Sequence, residues 1–161
     1  MLDIVVATIF RKAQNEKKYS QFYSEKICAP IVKLELESQG KRATPNNLKF
    51  CQFRKKLLDF CRGCFEEIFL VDDFEAMKKA AEEKGKTYTD ADYAESKVIR
   101  KDKLFGNIGF IGGLFSCHLL RDDTVKSIFD HLLHPDCFVN DTVEAAITFL
   151  EKIGPVIEAK I

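Results

Sequence analysis

Four groups of side chains have types and spacings that could do chemistry. Cys61-Arg62-Gly63-Cys64 is formally a CxxC, the arrangement of half a zinc site or of a redox pair. No strand precedes it and no second CxxC exists, and residues three apart on a helix are what a core stripe supplies, so the spacing favours a pair of core thiols. His131, His134 and Cys137 repeat at threes and could offer three metal ligands around a helix end. Pro135 redirects the chain before Cys137 can join the histidines, and a helix C-terminus favours a cation for its own reasons. Gly106, Gly109, Gly112 and Gly113 form the richest glycine cluster, yet neither GxGxxG nor GK[ST] is present to cradle a phosphate. Spaced at 3 and 7, Gly106, Gly109 and Gly113 share a helical face and would let a second helix come close. Finally, Lys41-Arg42, Arg54-Lys55-Lys56 and the run 97–103 with Arg100 and Lys101 are basic groups near aromatic residues, where RNA phosphates could bind. Acidic neighbours interleave with the last run, which is also the pattern of a solvated face. No Ser/His/Asp set, carboxylate pair or HExxH announces catalysis, and neither a cofactor nor a metal is expected.

The elements that must position these groups read as helices throughout. Val6, Ile9, Phe10 and Ala13 fall at i, i+3, i+4 and i+7, one stripe of an amphipathic helix. Ser20 is placed to cap a second helix carrying Tyr23, Ile27, Ile31 and Leu34, which Pro30 should kink. After the turn at Gln39-Gly40-Lys41-Arg42, Thr44-Pro45 reads as a cap with proline at the first helical position. A long helix over about 45–69 follows, with Leu57, Cys61, Cys64, Phe65 and Ile68 on one face. The segment at about 72–103 is charge-dense and only briefly patterned, so it reads as an insertion that buries little and is dispensable for folding. Leu104 to Leu120 resumes a broad apolar face. Asp122 can cap the helix of Val125, Ile128, Phe129 and Leu132, and Asn140 or Asp141 a last helix of Val143, Ile147, Leu150 and Ile153, which Gly154-Pro155 should stop.

The chain is thus an all-α domain over 1–161, and periodicity alone leaves an irregular bundle and a solenoid of helix pairs both open. Its 161 residues are 46% hydrophobic, enough for one continuous core. With 25 basic and 25 acidic side chains no overall field draws it to nucleic acid or to a membrane, so any RNA contact must be a local patch and neither DNA nor a bilayer is an expected partner. Met1 to Phe10 has no basic leader, no run approaches the roughly 20 apolar residues of a membrane span, and the six cysteines need no pairing to hold such a core. The expectation is a soluble, cytoplasmic protein with reduced, mostly buried thiols.

Three blocks carry a resemblance. Ile9-Phe10-Arg11-Lys12-Ala13 with Tyr19-Ser20 and Tyr23 resembles I-F-x-K-A followed by F-S-x-x-Y. Phe53-Arg54-Lys55-Lys56-Leu57-Leu58 with Cys61, Phe65 and Glu66 is similar to F-R-x-x-L-L-x-x-C-x-x-x-F-E, and Gly106-Asn107-Ile108, Phe110-Ile111-Gly112 and Leu114-Phe115 to G-N-I-x-F-I-G-x-L-F. In this order and spacing they resemble the middle domain of eukaryotic translation initiation factor 4G and its close relatives, including poly(A)-binding-protein-interacting proteins. The resemblance implies a HEAT-type α-solenoid without enzymatic activity that binds and activates the DEAD-box RNA helicase initiation factor 4A, with mRNA and other initiation factors as further partners. It also implies that the family domain extends beyond both ends of this sequence. Arg54 and Asn107, from the matched motifs, and Arg121 and Asp122, from a turn between helices, are the expected partner-binding residues, with Phe53 and Phe110 shaping that surface from beneath. An RNA-binding platform using Lys41, Arg42, Lys55, Lys56, Arg100 and Lys101 is the alternative. Gly109 and Gly113 depart from the lysine and glutamate usual in the third block.

Overall fold

In the computed structural model the described residues are 1–69, 74–137 and 139–161; 70–73, Phe138 and the side chain of Cys137 lie outside the description. Among the described residues every regular element is helical. They are α1 (Leu2–Asn15), α2 (Ser20–Phe22), α3 (Ala29–Ser38), α4 (Gln52–Phe69), α5 (Phe74–Glu83), α6 (Asp90–Ser116), α7 (Asp122–Leu132) and α8 (Asn140–Glu158). The chain is an α-solenoid. α1 lies against α4 and α6, α4 against α6, and α6 in turn against α2 and α8, with α7 on α8. α6 is therefore the central rod, buried at nearly every position from Leu104 to Phe115.

The core is a single cluster. Val6 and Phe10 of α1, Phe53, Leu57, Cys61 and Phe65 of α4, Ile108, Phe110 and Leu114 of α6, and Phe149 and Ile153 of α8 are each at most 5% exposed. Cys61 thus belongs to the apolar stripe, and the five described cysteines are unpaired. The glycines do the work expected of them at two positions. A Cβ on Gly106 would strike the backbone carbonyl of Gln14 in α1, and one on Gly113 would lie 2.5 Å from Ser24 Oγ. Gly109 has ordinary room, with Ser20 Oγ 3.6 Å from its virtual Cβ.

Several local expectations are corrected. Pro30 does not end the second helix. A π-helical turn over Tyr23–Cys28 precedes it and the helix runs on into α3, the wider turn absorbing the position where proline offers no N–H. That turn also shifts the phase, so Ser24, Cys28, Val32 and Leu36 face inward while Leu34 is 65% exposed. Thr44-Pro45 opens a 3-10 segment, Pro45–Phe50, rather than the long helix, which begins only after extended Cys51. Ser20 and Asp122 cap nothing: each is the first residue of its helix and neither N-terminus has a side-chain cap. At α8 it is Thr142 Oγ1 that accepts the Val139 N–H at 3.0 Å, in place of Asn140 or Asp141. α8 passes through Pro155, which is exposed, so the Glu151 carbonyl it leaves without an amide donor can be hydrated. Its buried face is Ala145, Ala146, Phe149 and Ile153, leaving Ile147 and Leu150 more than half exposed.

The expected insertion divides in two. α5 contributes no buried residue, in keeping with its composition. The stretch Asp90 to Lys103 is instead the first half of the 27-residue α6, begun by a capping box in which Thr89 and Asp92 exchange hydrogen bonds. The segment's first residues, Asp72 and Asp73, lie outside the description.

A basic edge at the start of α4

The candidate site is built where the N-terminus of α4 meets the turn between α6 and α7. Glu35 of α3 holds α4 in place. Its carboxylate accepts the backbone N–H groups of Gln52 (2.7 Å) and Phe53 (3.0 Å) and the Cys51 thiol (3.0 Å), satisfying amides that have no partner within the helix. Burial raises the carboxyl's pKa, but the bonds from Cys51, Phe53 and Gln52 outweigh it and the net shift is downward. On the other side, α6 ends with His118 at φ 60, the left-handed position glycine usually takes. The Leu119 N–H returns to the Leu114 carbonyl (3.0 Å) and His118 N–H to Phe115 (2.9 Å), which closes the helix and directs the Leu119 carbonyl outward.

Arg54 bridges the two. Its Nε donates to the Leu119 carbonyl at 2.7 Å, an internal bond between residues 65 apart in sequence. The guanidinium is half-buried, and that burial, with Arg121 adding in the same direction against the neighbouring Cys51, pulls its pKa down. Arg54, Arg121 and Lys49 line one cleft of about 470 Å³ with Pro45, Asn46 and Leu48, and no carboxylate is among the described lining residues. The nearby acids are already paired. Asp123 pairs with Arg121 at 3.2 Å with both side chains over 70% exposed, where such a pair contributes little. Asp122 receives Lys160 from the end of α8 at 2.6 Å. The edge sets Lys49 and Arg54, which have no ion pair among the described residues, beside Arg121, whose pair with Asp123 is exposed.

The structure brings Arg54 and Arg121 together and sets Asp122 beside them. Phe53 lies under the edge, 1% exposed, while Phe110 is deeper, its ring 6.0 Å from that of Phe10. Asn107 is a correction: it is fully buried, neither amide atom has a hydrogen-bond partner among the described residues, and it cannot touch a partner directly. The six cations considered for RNA are spread over several elements. Lys41 packs on the Phe50 ring (4.8 Å), Arg42 and Lys55 are exposed, Lys56 pairs with Asp3, Lys101 pairs with Asp141 and Glu144, and Arg100 lies under the α5–α6 hairpin. Lys49 and Glu35 went unforeseen in the sequence; Glu35 caps a helix 17 residues away, a contact that no local pattern signals. His131 packs on Phe65 and Phe69 while His134 turns to Asp136, and the Cys137 side chain is outside the description.

Fold and site together define an all-α helical-repeat protein with a basic edge. Known proteins supply the rest. Eukaryotic translation initiation factor 4 gamma 3 of Homo sapiens is 32% identical over 139 residues, 79% of this chain, and the Mus musculus protein matches equally. The Dictyostelium discoideum eukaryotic translation initiation factor 4 gamma is 29% identical over 150 residues. The chain is accordingly related to a region of eukaryotic translation initiation factor 4 gamma. It spans about a tenth or less of the length of these relatives, 8% of the mammalian ones and 10% of the Dictyostelium one. No protein-family model matches the chain, and no solved structure matches it significantly.

Proposed function

We propose that this chain is a cytoplasmic translation-initiation scaffold, without catalytic activity or cofactor of its own, that binds the DEAD-box helicase initiation factor 4A through the basic edge. The observation that carries the reading is the cleft in which Lys49, Arg54 and Arg121 converge without a lining carboxylate. Such an edge complements an acidic surface and steers its approach. Lys49 and Arg121 make the contacts. Arg54, whose Nε is committed to Leu119, fixes the edge and offers only its terminal N–H groups. A helicase of two lobes needs contacts at both ends of a stack to be held closed, so this one edge engages chiefly one lobe and stimulates ATP hydrolysis weakly.

The alternative of an RNA platform is favoured by one observation: Lys41 and Lys49 both lie over the Phe50 ring, at 4.8 and 5.1 Å, and that ring is 42% exposed. An aromatic flanked by cations is a place for a base and its phosphates.

The test is a titration of the chain against the helicase with and without RNase. Lys49→Glu combined with Arg121→Glu should weaken binding about tenfold or more, with the helical circular-dichroism spectrum and Tm unchanged, because both side chains are exposed. Arg54→Glu is the less informative variant, since loss of the Leu119 bond would lower stability as well. If the double variant binds as the wild type does, the edge is not the interface.

A further inference from the structure

A second cleft lies under the hairpin made by α5 and the first half of α6. The hairpin has a seam of its own: the Phe74 ring sits 5.8 Å from Tyr88 and 5.6 Å from Tyr93, and Tyr88 donates its hydroxyl hydrogen to Met77 Sδ at 3.5 Å. Held this way it overhangs α1 and α4 rather than packing down on them, and encloses about 640 Å³. That is within the roughly 300–1,000 Å³ of sites that bury a ligand.

The lining has two characters. Phe60, Cys64 and Ile68 of α4 face Met77 of α5 and Ile99 of α6, and Ile99 is 48% exposed, large for an aliphatic side chain with no partner of its own. Around this apolar floor stand Arg11 of α1 and Arg100 and Lys103 of α6, none of which forms an ion pair among the described residues. Glu67 is the one carboxylate among the described lining residues, and Asp102 next to the cleft is already bound by Lys17 at 2.8 Å. Among the described residues three cations stand against one acid around this apolar floor.

We infer that this cleft takes an acidic amphipathic peptide segment of a partner protein, its apolar side chains on Ile68, Met77 and Ile99 and its carboxylates on Arg11, Arg100 and Lys103. The floor argues for a peptide over RNA. Of its two rings, Phe10 is buried and Phe60, half-exposed, is engaged edge-to-face with it at 5.2 Å, and the remaining apolar groups are aliphatic or sulfur, so bases find no stacking platform. Methionine beside aliphatic side chains is the adaptable surface on which the apolar face of a helix or an extended anchor residue docks. The site shares no residue with the basic edge, so it stands or falls independently of the helicase reading.

The probe is a short fluorescein-labelled peptide with leucine and phenylalanine at helical spacing among glutamates, beside a twin with lysine for glutamate and an oligouridylate RNA. The full chain should bind the acidic peptide and not its basic twin. Arg100→Glu with Lys103→Glu should reduce that affinity at least tenfold, Met77→Glu should do so through the floor, and bound peptide should slow alkylation of half-exposed Cys64. Met77→Glu tests the site apart from the α6 helix, should the α6 variants lose helix content. Absence of peptide binding, equal binding by the variants, or binding of the RNA through Arg100 and Lys103 in place of the peptide would overturn the inference.

Discussion

A substitution series at glycine tests the packing of the central rod with a prediction of opposite signs. Replacing a mid-helix glycine by alanine favours the helix by up to about 1 kcal/mol when the new methyl is free. At Gly63 of α4 nothing lies within 4 Å of the added Cβ, so Gly63→Ala should stabilise by most of that amount. At Gly109 the nearest atom, Ser20 Oγ, is at 3.6 Å, an ordinary contact, and Gly109→Ala should be neutral or mildly stabilising. At Gly106 the Cβ would overlap the Gln14 carbonyl and lie 2.9 Å from its Cγ. The carbonyl is backbone of α1 and cannot swing aside, so α1 must move away from α6, with overpacking costs of about 1–3 kcal/mol. Set against the propensity gain, Gly106→Ala should be destabilising by up to about 2 kcal/mol, a loss of up to roughly 8 °C in Tm for a chain of this length. Urea and thermal melts followed by circular dichroism measure all three. Equal stability of the Gly106 and Gly63 variants would refute the close approach of α1 to α6, and with it the placement of the rod that carries the α6–α7 turn.

Two further outcomes follow from side-chain chemistry. Glu35→Gln removes the carboxylate that caps α4 and should cost about 1 kcal/mol at neutral pH. Because the folded pKa is held below the ordinary value, that contribution is complete above about pH 4.5 and is lost as pH falls through the depressed folded value. The gap between wild type and variant should therefore close in urea melts at low pH; a gap that persists in acid would show that the carboxylate charge does not stabilise the helix. Thiol reactivity should divide the described cysteines. Burial pushes Cys28 up to about 12, and burial together with Glu35 pushes Cys51 up to about 11, while fully enclosed Cys61 is also raised by burial. Half-exposed Cys64 and Cys117 should be alkylated first and the other three only on unfolding, as mass spectrometry would show; early labelling of Cys61 would contradict its place in the core.

The helical stripes of α1, α4 and α7 were legible in the sequence because each buries one face at unbroken 3.6-residue spacing: Val6, Phe10 and Ala13, then Leu57, Cys61 and Phe65, then Val125, Ile128 and Leu132. Elements with a broken period were not. The π turn before Pro30 rotated the buried face off Leu34, and α8 buries alanines that leave its larger Ile147 and Leu150 outside, the reverse of what side-chain size suggests. The start of α6 was hidden because its first thirteen residues face solvent and the hairpin cleft, so no apolar stripe marks them. At the edge, Arg54 was marked by its motif, but its bond to a carbonyl 65 residues away is tertiary. Asn107 shows the converse, a motif residue whose polar side chain suggested a surface and whose position on α6 encloses it completely.

The central claim is tested most directly by calorimetric titration of the folded wild-type chain with the two separated lobes of the helicase. The proposed function requires measurable, salt-sensitive binding to one lobe, weakened when Lys49 and Arg121 are reversed in charge. No measurable affinity for either lobe, together with salt-dependent binding of RNA, would contradict it and leave the RNA platform.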